Sequence, residues 1–204
     1  MAHRFKILAR LFHGISIELT IWRIFKIWNW KLNFEFNFVE VVDSTAGWHM
    51  CTCLEALEIP HQMLSASELR SDFRRLFLDN SQPGTFQHVF ASVEDQLAGN
   101  PCLLHPERAS CDSCDDSQPS LMISGSPCDP FSQQSGKRFQ PGAVSGHKLF
   151  SVTMESIIAM YIDKQPPIGL FEQVMGFVMP FDAFSTETPY QRRGITRYKY
   201  ATYQ

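Results

Sequence analysis

VEVVDSTAGW, residues 39–48, joins a short apolar run to a turn made of Ser44, Thr45 and Gly47. A run of that length bounded by turn residues reads as a buried strand, and CLEAL (53–57) behind it has the composition of a helix. Outward along the chain the pattern recurs. HQMLSA (61–66), HVFAS (88–92), LMISG (121–125) and PPIGLFEQV (166–174) are further strand candidates. ELRSDFRRLFL (68–78) predicts a helix with Leu69, Phe73, Leu76 and Phe77 on one face, and a second helix is expected from about Leu149 to Asp163. Residues 95–119, rich in Pro, Asp, Ser and Cys, read as loop. Short strands alternating with helices predict an α/β fold with a mostly parallel sheet built from βαβ units.

Charge and composition narrow the class. The chain has 204 residues, 44% of them hydrophobic, which is enough for one core. A net charge of −3 excludes a histone-like basic protein, and 13% aromatic residues exclude a wholly disordered chain. The mean hides a segregation. Residues 1–38 carry Arg4, Lys6, Arg10, Arg23, Lys26 and Lys31 against Glu18 and Glu35, and residues 191–204 carry Arg192, Arg193, Arg197 and Lys199 with no acid. The body between these basic ends is therefore strongly acidic, which does not suit a duplex binder by bulk electrostatics. Six cysteines are too few for a disulfide scaffold and predict reduced thiols, in a nuclear or cytoplasmic setting.

The domain organisation read from these shifts is a basic, aromatic-rich segment over 1–38, an α/β domain over 39–190 and a basic tail over 191–204. In the first segment Ile7, Leu8, Leu11, Phe12 and Ile15 have helical spacing, and LNFEFNFV (32–39) alternates as a strand. Arg10, Glu18, Arg23 and Lys26 interrupt every long apolar run, so no membrane span is expected; a transit peptide or an interfacial helix stays open.

In parallel sheets ligands sit beyond the carboxyl ends of the strands. Two strand ends there carry chemistry. Cys128 lies in Gly-Ser-Pro-Cys-Asp-Pro-Phe-Ser directly after a strand, where prolines stiffen the turn and a nucleophilic thiol would be presented. The plainer alternative is a half-buried loop cysteine. Glu172 ends another strand among Leu170, Phe171 and Val174, and apolar company should raise its pKa toward that of a proton donor. Its plainer alternative is a solvated carboxylate.

Together, GSPCDPFSQQSG (125–136) and IGLFEQVMGF (168–177) resemble the Pro-Cys catalytic loop and the Glu-Asn-Val strand end of the cytosine-C5 DNA methyltransferases. VVDSTAGWHMCTCLEAL sits where that family has its cofactor loop, and SASEL where it has an acidic residue ending the second strand. SPCDPFS and the Glu-Gln-Val variant are similar in particular to the cytosine methyltransferases of dinoflagellates. The resemblance spans about residues 38–190 and is most specific at its last two motifs.

The resemblance implies a Rossmann-like, S-adenosylmethionine-dependent methyltransferase sheet that lacks its last strands and its target recognition domain. It implies that Cys128 adds as thiolate to C6 of a flipped-out cytosine, while Glu172 protonates N3. The methyl of S-adenosylmethionine passes to C5, and loss of the C5 proton ejects the cysteine. Thr45 and Gly47 would meet the cofactor in its loop, Glu68 would bind the ribose hydroxyls, Ser92 would face the adenine amino group, and Pro127 would line the pocket between cofactor and base. DNA is the implied partner, with RNA open because a close branch of the family modifies tRNA.

The departures are specific. Thr45 stands where the family has a phenylalanine stacked on adenine, and His49 and Met50 stand where it has paired glycines. Ser92 replaces an aspartate, with Glu94 and Asp95 as neighbouring substitutes. Gln173 replaces the asparagine that holds the Pro-Cys loop, a change expected to alter a supporting hydrogen bond and not a reactant. After Phe177 the family continues through further strands, an arginine motif and the recognition domain, so the chain reads as truncated and its free strand edge as a source of marginal stability. An inactive remnant that binds cofactor or a protein partner is therefore the alternative. Cys102, His105, Cys111 and Cys114 offer zinc-type ligands within one loop, with reduced surface thiols as the other reading. Cys51 and Cys53 read as packing.

Overall fold

A computed structural model describes residues 54–56, 58–111 and 118–192, together with the backbone of two strands at 6–11 and 39–43. The expected strand at 32–38 and the helical reading of 12–15 lie outside the described residues. The fold is mixed α/β with parallel strands, and the chain divides into two compact units: Gly14–Met122, and Ile123–Gln204 joined by Met1–His13.

In the first unit β2 (Val39–Asp43), β3 (His61–Ser67) and β4 (Phe86–Phe90) form a parallel set with β3 in the middle. β3 is buried from Met63 through Ser67 without alternation, as a strand covered on both faces must be. A register shift between Val41 and Val42 offsets β2 against it. α1 (Ser71–Asn80) begins three residues later than the apolar spacing predicts. Leu69 therefore precedes the helix, and of the expected apolar face only Phe77 is buried, packed on Phe86 at 5.3 Å between ring centroids. Phe73 and Leu76 face solvent, and the Arg70 guanidinium lies over the Phe73 ring.

α2 (Val93–Ala98) corrects the reading of 95–119 as loop. Its stops are local: the Ser92 hydroxyl accepts from the Asp95 N–H, and Gly99 closes the other end at φ 65°. Gln96 on this helix donates to the buried Ser65 hydroxyl at 2.7 Å, tying α2 to β3.

In the second unit β6 (Ile168–Gln173) lies between β1 (Lys6–Leu11) and β5 (Leu121–Gly125), the last of which begins at the division between the units. β1 is a correction: the helical spacing of Ile7, Leu8 and Leu11 loses to strand pairing, because Lys6–Leu11 hydrogen-bonds in parallel along all of β6. An open edge of parallel strand is a row of unmet donors and acceptors, and pairing satisfies it. β6 is thus covered, and the exposed parallel edge falls on β1 among the described strands. A π-helical turn, Val152–Ile157, runs into α3 (Ile158–Lys164), close to the predicted span. Tyr161 on α3 donates to the Leu170 carbonyl at 2.6 Å and accepts from Ser124 at 3.0 Å, pinning β5 and β6 to one helix.

Candidate functional site

The turn after β5 is held from three directions. Cys128 accepts at its carbonyl from the Phe131 N–H at 2.9 Å, which closes Cys128–Phe131 into a tight turn. Phe131 then drops into an aromatic core, 5.0 Å from Phe177 edge-to-face and 6.3 Å from Phe150. Phe177 belongs to a short 3₁₀ turn, Met175–Val178, that follows β6, and it also packs on Phe171 at 5.5 Å.

The second hold is Gln173, the last residue of β6. Its amide nitrogen donates to the Ser126 hydroxyl at 2.7 Å and lies 3.3 Å from the carbonyls of Ser126 and Pro127, while its carbonyl accepts from the Val174 N–H at 2.9 Å. Gln173 thus clamps the Pro-Cys turn from a buried position, as its place in the Glu-Gln-Val motif suggested.

The third hold escaped the sequence. Arg138 is among the most deeply buried side chains, 2% exposed, inside what reads as a polar loop. Among the described residues its guanidinium donates to five carbonyls: Phe131 at 3.2 Å, Pro180 and Phe181 at 2.9 Å each, Gly176 at 2.6 Å and, more weakly, Met179 at 3.4 Å. Burial pulls its pKa down while the charge of Asp182 opposes the change. Gly176 lets these strands of chain close up, because a Cβ there would overlap the Phe131 carbonyl.

Within this frame Cys128 is exposed and Glu172 half-buried. Partial desolvation, then the charges of Asp129 and Glu172, push the Cys128 thiol above its ordinary value. Burial alone pushes the Glu172 carboxyl up. A raised carboxyl acid beside an accessible thiol is a proton donor next to a nucleophile that needs a base or a cationic neighbour to ionise. Pro127 contributes only its carbonyl to the described hydrogen bonds.

The other unit holds the remaining expected residues. Glu68 directly follows β3; its carboxylate accepts from the Arg70 N–H at 2.8 Å and its own N–H donates to Phe90. The preceding Ser67 hydroxyl is buried with no hydrogen-bond partner. Ser92 follows β4, but its hydroxyl is engaged with Asp95, accepting from the N–H at 3.0 Å and donating to Oδ2 at 2.8 Å. Asp95 also accepts from Asn100, so the neighbouring carboxylate is likewise engaged. Thr45 and Gly47 lie outside the described residues, as do Cys51, Cys53 and Cys114. Of the loop ligands, Cys102, His105 and Cys111 come together, joined by His88 from β4. No helix among the described residues is long and apolar enough to cross a membrane.

No family model matches this chain, and no curated protein matches it.

Proposed function

We propose that the chain is the catalytic part of a cytosine-C5 methyltransferase with a Rossmann-like sheet, acting on DNA. The observation that supports this best is the Gln173 clamp, which fixes the Pro-Cys turn to the strand end that carries Glu172. A cysteine on a hydrogen-bonded turn and a carboxyl that burial holds above its ordinary pKa both support that reading. Cys128 forms a bond to C6 of the cytosine as thiolate, its proton leaving to solvent, and Glu172 gives its proton to N3. Electron density then moves onto C5, the carbon that would be alkylated by the sulfonium methyl of bound S-adenosylmethionine, with the cofactor's sulfur leaving as a thioether. Loss of the C5 proton to solvent re-forms the C5–C6 double bond and breaks the Cys128–C6 bond, releasing the thiolate, and N3 returns its proton to Glu172.

S-adenosylmethionine supplies an electrophilic methyl on a sulfonium when bound. The donor chemistry at the end of β3 fits its ribose: the Glu68 carboxylate accepts hydroxyl protons, and the orphaned Ser67 hydroxyl beside it is a polar atom in want of a partner. Ser92 fits the adenine less well, since its hydroxyl caps α2.

The test uses the full chain with a duplex carrying 5-fluorocytosine and S-adenosylmethionine. Fluorine at C5 cannot leave as a proton does, so the adduct should persist through denaturation and map to Cys128. Wild type behaving like Cys128→Ser on duplex DNA, single-stranded DNA and an RNA stem-loop overturns the proposal; an adduct on RNA alone moves it to a tRNA substrate.

A second reading, an inactive remnant that still binds cofactor, is favoured by the raised thiol. Calorimetric binding of S-adenosylmethionine with no adduct would select it.

A further inference from the structure

We propose that His88, Cys102, His105 and Cys111 form a structural zinc site, independent of the methyl-transfer chemistry. One ligand atom from each lies within 4.8 Å of all the others. Zinc bound at about 2.0–2.1 Å to nitrogen and about 2.3 Å to sulfur sets tetrahedral edges of roughly 3.3–3.8 Å. One edge has that length and another is slightly shorter: Cys102 Sγ lies 3.6 Å from His88 Nδ1 and 3.2 Å from His105 Nδ1. The remaining separations need to close by no more than about 1.5 Å, within the reach of side-chain rotation.

The backbone brings the ligands together without help from a metal. His88 is fixed on β4, with its ring 5.3 Å from that of His105. The loop after α2 is stitched back to β4 by the Leu103 N–H on the Val89 carbonyl at 2.7 Å, which seats Cys102. The Cys111 N–H donates to the Gly99 carbonyl at 2.9 Å, and the His105 N–H to the Cys102 carbonyl at 3.2 Å. Both thiols are buried with Phe90, at 1% and 2% exposure, and His88 is at 3%. Two thiolates and two neutral imidazoles around a divalent cation sum to no net charge, so the loaded cluster suits an apolar interior. The set is closed, with four protein ligands and no open position, so its role is to hold the loop.

The spacing differs from the loop set read from sequence. His88 on a strand takes the fourth place there given to Cys114, which falls outside the described residues.

The experiment is metal analysis of the purified full chain, followed by exchange with cobalt(II). About one zinc per chain is expected, retained in Cys128→Ser and Cys114→Ser and lost in His88→Ala and Cys111→Ser. Because metal loss alone does not separate ligation from misfolding, His105→Cys supplies a gain: it should keep the metal and strengthen the thiolate-to-cobalt charge-transfer band of a tetrahedral spectrum. Zinc well below one per chain after anaerobic reconstitution overturns the proposal. So does an octahedral cobalt spectrum, or a Cys102–Cys111 disulfide in freshly reduced and re-oxidised protein that excludes metal. Loss of zinc in Cys114→Ser with retention in His88→Ala overturns the assignment of His88.

Discussion

The Gln173 amide donates to the Ser126 hydroxyl at 2.7 Å, joining residues 47 positions apart and fixing the turn two residues before Cys128. The bond is buried and runs from the end of one strand to the turn after its neighbour. The placement of the Cys128 turn therefore depends on a buried residue from another strand end.

Gln173→Ala should destabilise the chain by about 1–3 kcal/mol, since Ser126 and Val174 lose partners at a buried position. Paired with Ser126→Ala in a double-mutant cycle, the two should couple by roughly 1 kcal/mol in urea denaturation. Gln173→Asn, one methylene shorter, should recover the Val174 contact and only part of the grip on the turn. Equal denaturation midpoints for wild type and Gln173→Ala would count against the clamp.

Arg138→Met leaves the carbonyls of Phe131, Gly176, Pro180 and Phe181 without their donor. A loss of roughly 3–5 kcal/mol, or of cooperative unfolding altogether, is expected. Arg138→Lys should restore little, because one ammonium cannot reach a fan of carbonyls spread around a planar fork. Urea titration followed by tryptophan fluorescence or circular dichroism decides it.

Gly176→Ala should be among the costliest single-methyl additions in the chain, at about 1–3 kcal/mol or more, because the new Cβ meets the Phe131 backbone and not a flexible side-chain end. Gly84→Ala makes a useful contrast. Its Cβ meets open space, and only the strain of φ 85° opposes it. Thermal melts of the two variants should rank Gly176→Ala as the less stable.

Glu172 holds its proton more tightly folded than unfolded, because burial disfavours the charge. Its contribution to stability is therefore greatest below the ordinary carboxylate pKa and is lost as pH rises through the raised folded value. Glu172→Gln removes that loss. The variant should gain melting temperature over wild type at pH 7 relative to pH 4, with all other carboxylates cancelling in the difference. A difference that is flat with pH would contradict a raised carboxyl.

The same substitution separates reactivity from catalysis. Removing the Glu172 charge lifts one of the causes that push the Cys128 thiol up, so iodoacetamide should alkylate Cys128 faster in Glu172→Gln at pH 8. Asp129→Asn should act in the same direction. The fluorocytosine adduct, by contrast, should vanish in Glu172→Gln. Peptide mass spectrometry reads both at Cys128, and slower alkylation in the variant would show that the carboxylate does not face the thiol.

Much of the fold was legible because apolar runs bounded by turn residues have few readings. VEVVD became β2, LMISG became β5, and the helix before Lys164 fell within a residue of its predicted end. Failures have separate causes. Ile7, Leu8 and Leu11 fit a helix in isolation, and only the waiting edge of β6, far along the chain, makes them a strand. α2 had a legible signature, Ser92 three residues before Asp95 with Gly99 at the end, but the loop-rich composition around it masked the caps. Cys128, Glu172 and Gln173 could be singled out because their chemistry is written in adjacent letters. Arg138 could not, since no local pattern tells that an arginine between Lys137 and Phe139 in QSGKRFQ turns inward to collect carbonyls from residues some forty positions on. His88 was missed for a like reason: a strand interior is read for packing, and its partners lie beyond a helix and a loop.

The pairing of Lys6–Leu11 with Ile168–Gln173 also sets a schedule for the chain as it is made. Lys6–Leu11 leaves the ribosome before the other described strands yet waits for its partner, which is synthesised some eight-tenths of the chain later. Until then it is an apolar segment with no neighbour, and closing so long a loop is slow. Wild type should thus refold in at least two phases, with the strand bearing Glu172 gaining amide protection on its outer edge only in the later one.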